Sequence, residues 1–429
     1  MNYQIIAHLK SPMIINENRQ SDISESLSYM PGSTLRGAVA AKYILEKGSP
    51  NDKQFRELFV ENPVFFPNLL PADYKAKYTT KVLPLTSVSC KRHDGFIKKN
   101  EDSPHGVYDI LAEKIIEKYY PEVFFPKNCP KCANDMKVFT GFWNGNKETP
   151  KKLNPTKIIQ RHTGIDRITG TIATEIFYIT QAIADFYKIE IEDLTQKLAK
   201  KSEGGHVYEP QNLIAEITLT ENQYEILESI IDNNYFFAGA DRTSGKGEFK
   251  LSLIKQQDTK IDIKNWSSSF EERLKSVIRD QIEKNEIFSN HIENKEQLRN
   301  QIEEKLLSQG LYFTVNLNSH TILTDRFLRP TAELELPFEN IPSNEIQTIL
   351  KVARSQTIRG WNSAWGMPKA DDIAVSMGSV YLFKYTGNNL DLLDKELTRL
   401  ISKGIGLRKE EGFGKISICD DLHTKKEVI

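Results

Sequence analysis

Hydrophobic and polar positions along the chain predict two copies of one arrangement, in which a helix is followed by a glycine-rich loop and a strand. Before each loop, apolar residues recur at the spacing of one helix face. After each loop, short alternating runs predict strands at residues 248–254 and 415–419. A repeated arrangement of this kind predicts two related domains in one polypeptide. The apolar positions of the two helices are Leu227, Ile230, Ile231, Leu393, Leu397 and Leu400.

Both loops read Gly-x5-Gly-x-Gly and contain basic residues. A dinucleotide-binding glycine motif follows a strand and opens a helix, and the order here is the reverse, which excludes that kind of site. Because glycine has no Cβ, its backbone N–H can approach a phosphate closely. We therefore expect phosphate-binding loops, with ordinary helix-to-strand turns as the alternative. The candidate residues are Gly239, Arg242, Gly245, Lys246 and Gly247 in the first loop and Gly404, Gly406, Arg408, Lys409, Gly412 and Gly414 in the second.

Other segments lie around this repeat. A helix opens at residues 31–37, where the free N–H groups of its first turn make an anion site beside Arg36. Residues 83–145 are rich in Pro, Lys and Cys, which indicates an insertion. Residues 268–308 are charged with a helical period, and we expect a solvated helical connector. The predicted domains are residues 1–255 and 311–429, with a connector at 256–310.

Composition limits the classes of function. The chain has 429 residues and a net charge of −1, so it lacks a general attraction for nucleic acid and must use local patches for any such contact. It contains no apolar run long enough to span a membrane, and we expect no membrane contact. Four cysteines in a chain of this size favour a reducing compartment, the cytoplasm.

Three of the cysteines lie in the insertion. Cys129 and Cys132 have the C-x2-C spacing with which two thiolates hold one tetrahedral ion, and Cys90 precedes His93 at the same spacing. His105 is the alternative to His93 as the fourth ligand, and local spacing favours His93. Zinc is the natural ion for such a set, and four protein ligands indicate a structural site.

The segments at residues 31–37 and 165–171 and the two glycine loops together resemble the RAMP superfamily of CRISPR proteins. With the cysteine-containing insertion and residues 361–369, the chain looks like the two-domain subunit of type III-D effector complexes. This resemblance implies an α+β fold of two ferredoxin-like (RRM-like) domains, with the zinc-binding insertion in the first and a helical connector between them. It spans nearly the whole chain.

The resemblance also implies a role in antiviral defence. Such a subunit binds the guide RNA, holds its repeat-derived 5′ tag, and contacts the large polymerase-like subunit and neighbouring RAMP backbone subunits; target RNA is met only indirectly. A single-stranded tag suits loop amides, basic side chains and flat groups. Besides the glycine loops, the expected RNA-binding residues are Arg36, Arg161, His162, Arg167, Arg359, Trp361 and Trp365, although core packing is the alternative role of the two tryptophans.

Besides RNA binding, two other functions stay open at this point, a ribonuclease and a protein scaffold. Some RAMP relatives are metal-independent endoribonucleases that process precursor guide RNA with a histidine base, for which His8 and His162 are the candidates here. Backbone relatives cleave target RNA with an aspartate in the loop that Asp22 occupies. The third function is a protein scaffold that never touches RNA. We expect a binding subunit with no catalytic residue.

Overall fold

The computed structural model describes residues 1–16, 23–73, 79–97, 105–126, 128–146, 148–190, 206–257, 261–284, 292–308, 310–362 and 365–425. The fold is mixed, with α-helices and several small β-sheets. In the part of the chain that is described, no helix is both long and apolar enough to cross a membrane.

The α-helices are α1 (Gly32–Lys47), α2 (Lys53–Arg56), α3 (Leu111–Tyr119), α4 (Glu221–Ile231), α5 (Ile263–Lys284), α6 (Ile292–Leu306) and α7 (Leu390–Lys403). The strands are β1 (Asn2–Leu9), β2 (Ile23–Ser24), β3 (Leu70–Pro71), β4 (Lys81–Val82), β5 (Ser87–Cys90), β6 (Val107–Asp109), β7 (Met136–Val138), β8 (Phe142–Trp143), β9 (Lys152–Leu153), β10 (Lys157–Ile165), β11 (Ile172–Ile183), β12 (Phe186–Glu190), β13 (His206–Pro210), β14 (Asn212–Thr218), β15 (Phe236–Phe237), β16 (Glu248–Lys255), β17 (Leu311–Leu317), β18 (Ile346–Val352), β19 (Ser355–Ile358), β20 (Trp361–Asn362), β21 (Met367–Pro368), β22 (Asp372–Val375), β23 (Val380–Tyr385) and β24 (Ile416–Ile418).

The first large sheet has the strand order β15-β16-β1-β14-β3. Strand β1 is antiparallel to both β14 and β16, and β14 is antiparallel to β3. Alternate residues of β1, such as Ile5 and Leu9, are buried in one core with Val39 of α1 and Leu227 of α4. Helix α4 begins at a capping box, in which the Thr220 side chain accepts from the backbone of the third helical residue. The helix predicted before the first glycine loop is therefore present and packs on this sheet.

The second large sheet has the order β18-β23-β17-β24. In the first sheet, β1 lies between β16, the last strand, and β14, the strand that precedes α4. In the second sheet, β17 lies in the same way between β24, the last strand, and β23, the strand that precedes α7. Helix α7 packs on this sheet through Leu393, Leu397 and Leu400, the stripe predicted from the sequence. The two sheets therefore share one strand order, which agrees with the repeat in the sequence.

Helices form in the charged connector as predicted, but α5 is not a solvated spacer. Its apolar stripe, which includes Trp266, Phe270 and Leu274, is buried in the core of the second sheet. The Ser267 hydroxyl accepts from the backbone N–H of Tyr312 in β17 at 2.9 Å. No α-helix follows β17 within residues 318–345, all of which the structure describes, whereas α1 follows β1. Helix α5 therefore covers one face of β17, because its apolar stripe faces the sheet and most of its charged residues do not.

The insertion contains α3 and the sheet β6-β5-β7, and its strand β8 pairs with the flanking strands β4 and β9 in a second three-stranded sheet. Helix α3 packs on α5 through Leu111, Ile115 and Ile116, which belong to the same core as the second sheet. After the insertion, β10 and β11 form a long antiparallel hairpin. The insertion therefore lies in sequence within the first repeat but packs against the second.

Candidate functional site

The two glycine loops have the same backbone hydrogen-bond pattern. Ala238 N–H donates to the Gly247 carbonyl at 2.9 Å, and Ile405 N–H donates to the Gly414 carbonyl at the same distance. Each further donor in the first loop has a counterpart in the second, at a constant interval along the chain. The equivalent donors are Ala238, Ala240, Ser244, Gly245, Gly247 and Glu248 in the first loop and Ile405, Leu407, Glu411, Gly412, Gly414 and Lys415 in the second. These amides are therefore bonded within the protein and are not available to a phosphate.

Close backbone approach explains the last glycine of each loop. A Cβ on Gly247 would lie 1.9 Å from the Ala238 carbonyl oxygen, and a Cβ on Gly414 would lie 1.8 Å from that of Ile405. Both glycines also have a positive φ, at 81° and 74°. These positions therefore need glycine to bring the start and end of the same loop together.

The second glycine loop packs against the beginning of α1. A Cβ on Gly412 would lie 2.7 Å from the Asn68 Oδ1 and 2.9 Å from the Gly32 Cα. The charge of Arg408 is balanced within the protein, because its guanidinium forms ion pairs with Asp372 and with Glu411. This loop is therefore an internal contact between the two repeats.

A small cleft, partly open to solvent, lies at this contact. Its lining includes Lys403, Lys409 and Lys415. The Lys409 ammonium lies 5.4 Å from the ring centroid of Phe65. Burial, and then the charge of Lys403, lower the pKa of Lys409. Lys403 and Lys415 were missed by the sequence analysis, although both lie directly beside the glycine motif.

The first glycine loop is exposed. A Cβ on Gly245 would meet nothing within 4 Å, although this residue corresponds to the packed Gly412. Arg242 is exposed, whereas Lys246 is buried and its ammonium lies 3.5 Å from the Asp241 carboxylate. Arg242 is therefore the accessible cation of this loop.

The hairpin of β10 and β11 carries three predicted residues. Arg161 is exposed on β10, and Arg167 is exposed at the turn between the strands. The His162 Nε2 lies 3.0 Å from the Thr180 hydroxyl, and its ring stacks on Tyr178 at a centroid distance of 4.6 Å. At the turn, Ile168 is 95% exposed. The hairpin tip thus presents a basic and an apolar side chain to solvent.

A second hairpin follows β18, built from β19 and β22 and continued by β20 and β21. It carries Arg359, whose guanidinium lies 3.3 Å from the Asp371 carboxylate, and Trp361. Trp365, beyond β20, is 74% exposed. Neither tryptophan is a core residue, so the packing alternative for these two side chains is wrong.

Both hairpins are attached at equivalent places. Backbone N–H and carbonyl groups of Ile183, at the end of β11, exchange two hydrogen bonds of 2.8 Å with Met13 after β1. Val375, at the end of β22, exchanges two bonds of 2.8 and 2.9 Å with Thr321 after β17. The repeat therefore includes a projecting hairpin in each half.

The remaining predicted side chains are held by the protein or lie outside the described residues. The Arg36 guanidinium donates to the Phe59 carbonyl at 2.9 Å. The two ring nitrogens of His8 lie 2.8 Å from the Asn212 Oδ1 and 2.9 Å from the Ser252 hydroxyl. A base at His8 would have to break one of these bonds before accepting a proton. Asp22 lies outside the described residues.

Four side chains of the insertion form a cluster that could hold a metal ion. Ligand atoms of Cys90, His105, Cys129 and Cys132 all lie within 4.8 Å of one another. The Cys90 and Cys132 sulfurs are 3.5 Å apart, and the His105 Nδ1 is 3.2 Å from the Cys129 sulfur. His93, which local spacing favoured, is outside this group and stacks on His105 at a centroid distance of 4.2 Å.

The environment of Cys132 favours its thiolate, the form of cysteine that binds metal, whereas burial raises the pKa of Cys129. The Asn134 side chain donates to the Cys132 sulfur at 3.0 Å. This hydrogen bond is the main reason that the pKa of Cys132 is lowered to about 7. The cluster therefore has the donor set for a tetrahedral divalent ion, with Cys132 as the thiol whose pKa is lowered.

No family model and no curated protein matches the sequence. Solved structures do resemble it. A chain in type III-B Cmr-beta bound to cognate target RNA has 11% identity and a TM-score of 0.40, with 96% of each chain covered. Pyrococcus furiosus Cmr4 (Cas7) has 12% identity and a TM-score of 0.23, covering 60% of this chain and 100% of its own. CRISPR-associated protein Cas6 has 9% identity and a TM-score of 0.29, covering 97% and 98%.

These structures are of CRISPR-associated proteins, the class to which the sequence motifs pointed. At these identities and TM-scores, the likenesses carry no information about function.

Proposed function

We propose that this chain is an RNA-binding RAMP subunit of a type III CRISPR ribonucleoprotein that holds the repeat-derived 5′ tag of the guide RNA. The observation that carries the proposal is the pair of projecting hairpins. One presents Arg161 and Arg167 beside an exposed isoleucine, and the other presents Arg359 with Trp361 and Trp365. Exposed basic and flat side chains on one projection suit single-stranded RNA, whose phosphates attract cations and whose bases stack.

Within this proposal, each repeat is a ferredoxin-like domain. The shared strand order supports this, as do the final helix, glycine loop and last strand of each unit. The boundaries are those of the sequence analysis, residues 1–255 and 311–429, with the connector at 256–310. Helix α5 then covers the sheet face of the second domain, so RNA contacts there are made by the hairpin and not by the sheet.

The type III-D subtype and the partners are proposed from the sequence resemblance. They are the large polymerase-like subunit, neighbouring RAMP backbone subunits and, indirectly, target RNA. The proposed location is the cytoplasm, where guide RNA is made and cysteines stay reduced.

A binding subunit fits the chain better than a processing ribonuclease. Both ring nitrogens of His8 are engaged, and the His162 Nε2 is bonded to Thr180. General-base catalysis needs a nitrogen within hydrogen-bond reach of a substrate hydroxyl. We therefore assign no catalytic residue and keep the metal-independent endoribonuclease as the second candidate.

Binding is expected to weaken steeply with salt and to leave the RNA intact. The test uses the purified chain, 5′-labelled repeat-tagged RNA and no added divalent ion, with native and denaturing gels run from the same tubes. Contact with about four phosphates predicts a roughly 50-fold loss of affinity between about 50 and 200 mM salt. A shortened RNA that disappears in His8→Ala or His162→Ala would instead identify the ribonuclease.

Trp365→Ala should weaken the binding of tagged RNA roughly 5- to 150-fold, because one base stack is lost. Phe327→Ala is the matched control, because this aromatic ring is also exposed but lies outside both hairpins. Equal affinity of the Trp365 variant and the control would contradict a role of the second hairpin in RNA binding.

We also propose that the cluster of three cysteines and His105 binds a structural zinc ion. Three thiolates and one imidazole are a usual tetrahedral zinc set, and the insertion has only a small apolar core of its own. The ion would tie β5 to the turn that contains Cys129 and Cys132.

One zinc per chain is expected by elemental analysis. His105→Gln should lower the zinc content, because it removes a ligand from the cluster. His93→Gln should retain the zinc, because this ring only stacks on His105. Retention by the His105 variant with loss by the His93 variant would reverse the assignment.

A further inference from the structure

Two aromatic side chains are exposed at the edge strand β15, which leads into the first glycine loop: Phe237 is on the strand and Tyr235 directly precedes it. The middle residue of the run Tyr235-Phe-Phe237 points inward, where Phe236 is buried and stacks on Phe249 at a centroid distance of 5.6 Å. Successive side chains of an extended strand point to opposite faces. Tyr235 and Phe237 accordingly point outward, and they are 43% and 49% exposed. The sequence analysis did not single them out, although an aromatic run directly before a glycine motif was visible.

Cations lie beside this aromatic pair. The Lys250 ammonium, on the neighbouring strand β16, lies 4.3 Å from the ring centroid of Tyr235. Arg242 is exposed in the loop that begins two residues after Phe237. In the described part of the chain no acidic side chain forms an ion pair with Arg242. Two exposed rings therefore lie at one edge of the first sheet, with the Lys250 ammonium against one of them and the exposed Arg242 in the loop that follows.

The second repeat lacks this surface. Ser402 and Gly404 stand at the positions that correspond to Tyr235 and Phe237. The second loop also packs on α1 through Gly412, whereas the corresponding Gly245 is open. The two loops thus share a backbone but differ in surroundings, and only the first combines accessible aromatic rings with accessible cations.

We propose that Tyr235 and Phe237 stack successive bases of single-stranded RNA, while Lys250 and Arg242 contact its phosphates. The inference rests on the proposed function for the nature of the ligand, and it adds a site in the first domain apart from both hairpins. Base stacking on aromatic rings tolerates any base, because every base has a flat face. The site therefore binds RNA without reading its sequence.

The test measures fluorescence anisotropy of the full chain with two labelled strands. One is an oligouridine of about ten nucleotides, within the usual range of site sizes, and the other is an abasic ribose-phosphate strand of equal length. The variants are the double change Tyr235→Ala with Phe237→Ala, and Phe327→Ala as an exposed-aromatic control. Thermal unfolding of each variant checks that the fold is kept.

The double variant is expected to bind oligouridine at least about 30-fold more weakly, since two base stacks are lost. Its affinity for the abasic strand should equal that of the wild type, because the phosphate contacts remain. Lys250→Gln should weaken the binding of both strands and reduce the salt dependence of the affinity. Phe327→Ala should change neither affinity.

Three results would overturn the inference. If the wild type binds oligouridine and the double variant binds it equally well, stacking at this edge is wrong while the proposed function stands. If the double variant loses as much affinity for the abasic strand as for oligouridine, the loss of affinity does not come from base stacking. If the wild type binds neither strand at low salt, the proposed function and this site fail together.

Discussion

Replacing Arg273 with methionine is expected to lower the free energy of unfolding by about 3–5 kcal/mol, the usual cost of removing one partner from a buried ion pair. Arg273 lies on α5 and is buried. Its guanidinium donates to the His423 carbonyl at 2.8 Å and to the backbone carbonyl of Asp109. It also lies 3.5 Å from the carboxylates of Asp109 and Glu113.

The cost is high because an uncompensated anion would remain. Burial by itself raises the pKa of Asp109, but the charge of His423 and the hydrogen bond to it, followed by the charge of Arg273, outweigh this effect and lower the pKa. Asp109 therefore stays ionised in the folded protein. Without Arg273, the buried Asp109 carboxylate would lose a cationic partner and keep the His423 imidazole and the neutral donors of Thr86 and Leu111.

The same network joins parts of the chain that are far apart in sequence. Asp109 belongs to the insertion, Arg273 to α5, and His423 to the segment after the last strand. Its loss should therefore separate the insertion from the second sheet. Urea unfolding followed by tryptophan fluorescence measures this, because Trp266 is buried on the same helix, two turns before Arg273.

Arg329→Met is the control for this experiment. Arg329 also pairs with an aspartate, Asp325, at 2.7 Å, but its side chain is exposed. Exposed pairs contribute about 0–1 kcal/mol, so this variant should unfold near the wild type. Similar stability of the two variants would show that the Arg273 network does not hold the insertion in place.

Gly414→Ala is expected to destabilise the protein by about 3 kcal/mol or more. The left-handed backbone costs an L-residue about 1–2 kcal/mol. The new Cβ would also lie 1.8 Å from the Ile405 carbonyl oxygen, a distance that cannot be tolerated. Relief requires the Ile405 N–H to move from the Gly414 carbonyl, at the further cost of a buried hydrogen bond, about 1–3 kcal/mol.

Gly245→Ala separates the two contributions. Its φ of 78° is close to the 74° of Gly414, so the conformational cost is nearly the same. However, an added Cβ there meets nothing within 4 Å. Thermal unfolding should therefore show a loss of only about 1–2 kcal/mol for Gly245→Ala. Equal losses in both variants would mean that backbone conformation alone, and not close approach, requires glycine at position 414.

Local patterns predicted the elements correctly where the signal lay in neighbouring residues. The alternating run at 248–254 is strand β16, and the apolar stripe at Leu393, Leu397 and Leu400 is the buried face of α7. The charge pattern of the connector was misleading about burial, because α5 has charged residues on one side and a core stripe on the other. The helical spacing of the apolar residues in α5 does not show which sheet they pack against.

The sequence by itself determined the duplication and the three cysteines of the metal cluster, because these are patterns of spacing within short segments. Only the tertiary structure decided that His105 and not His93 joins the cysteines. It also decided that Gly412 packs against α1 while Gly245 stays open. The physical reason is the same in both cases: the partners of a residue are fixed by how distant segments pack, and two loops with one local conformation differ because only one of them packs on α1.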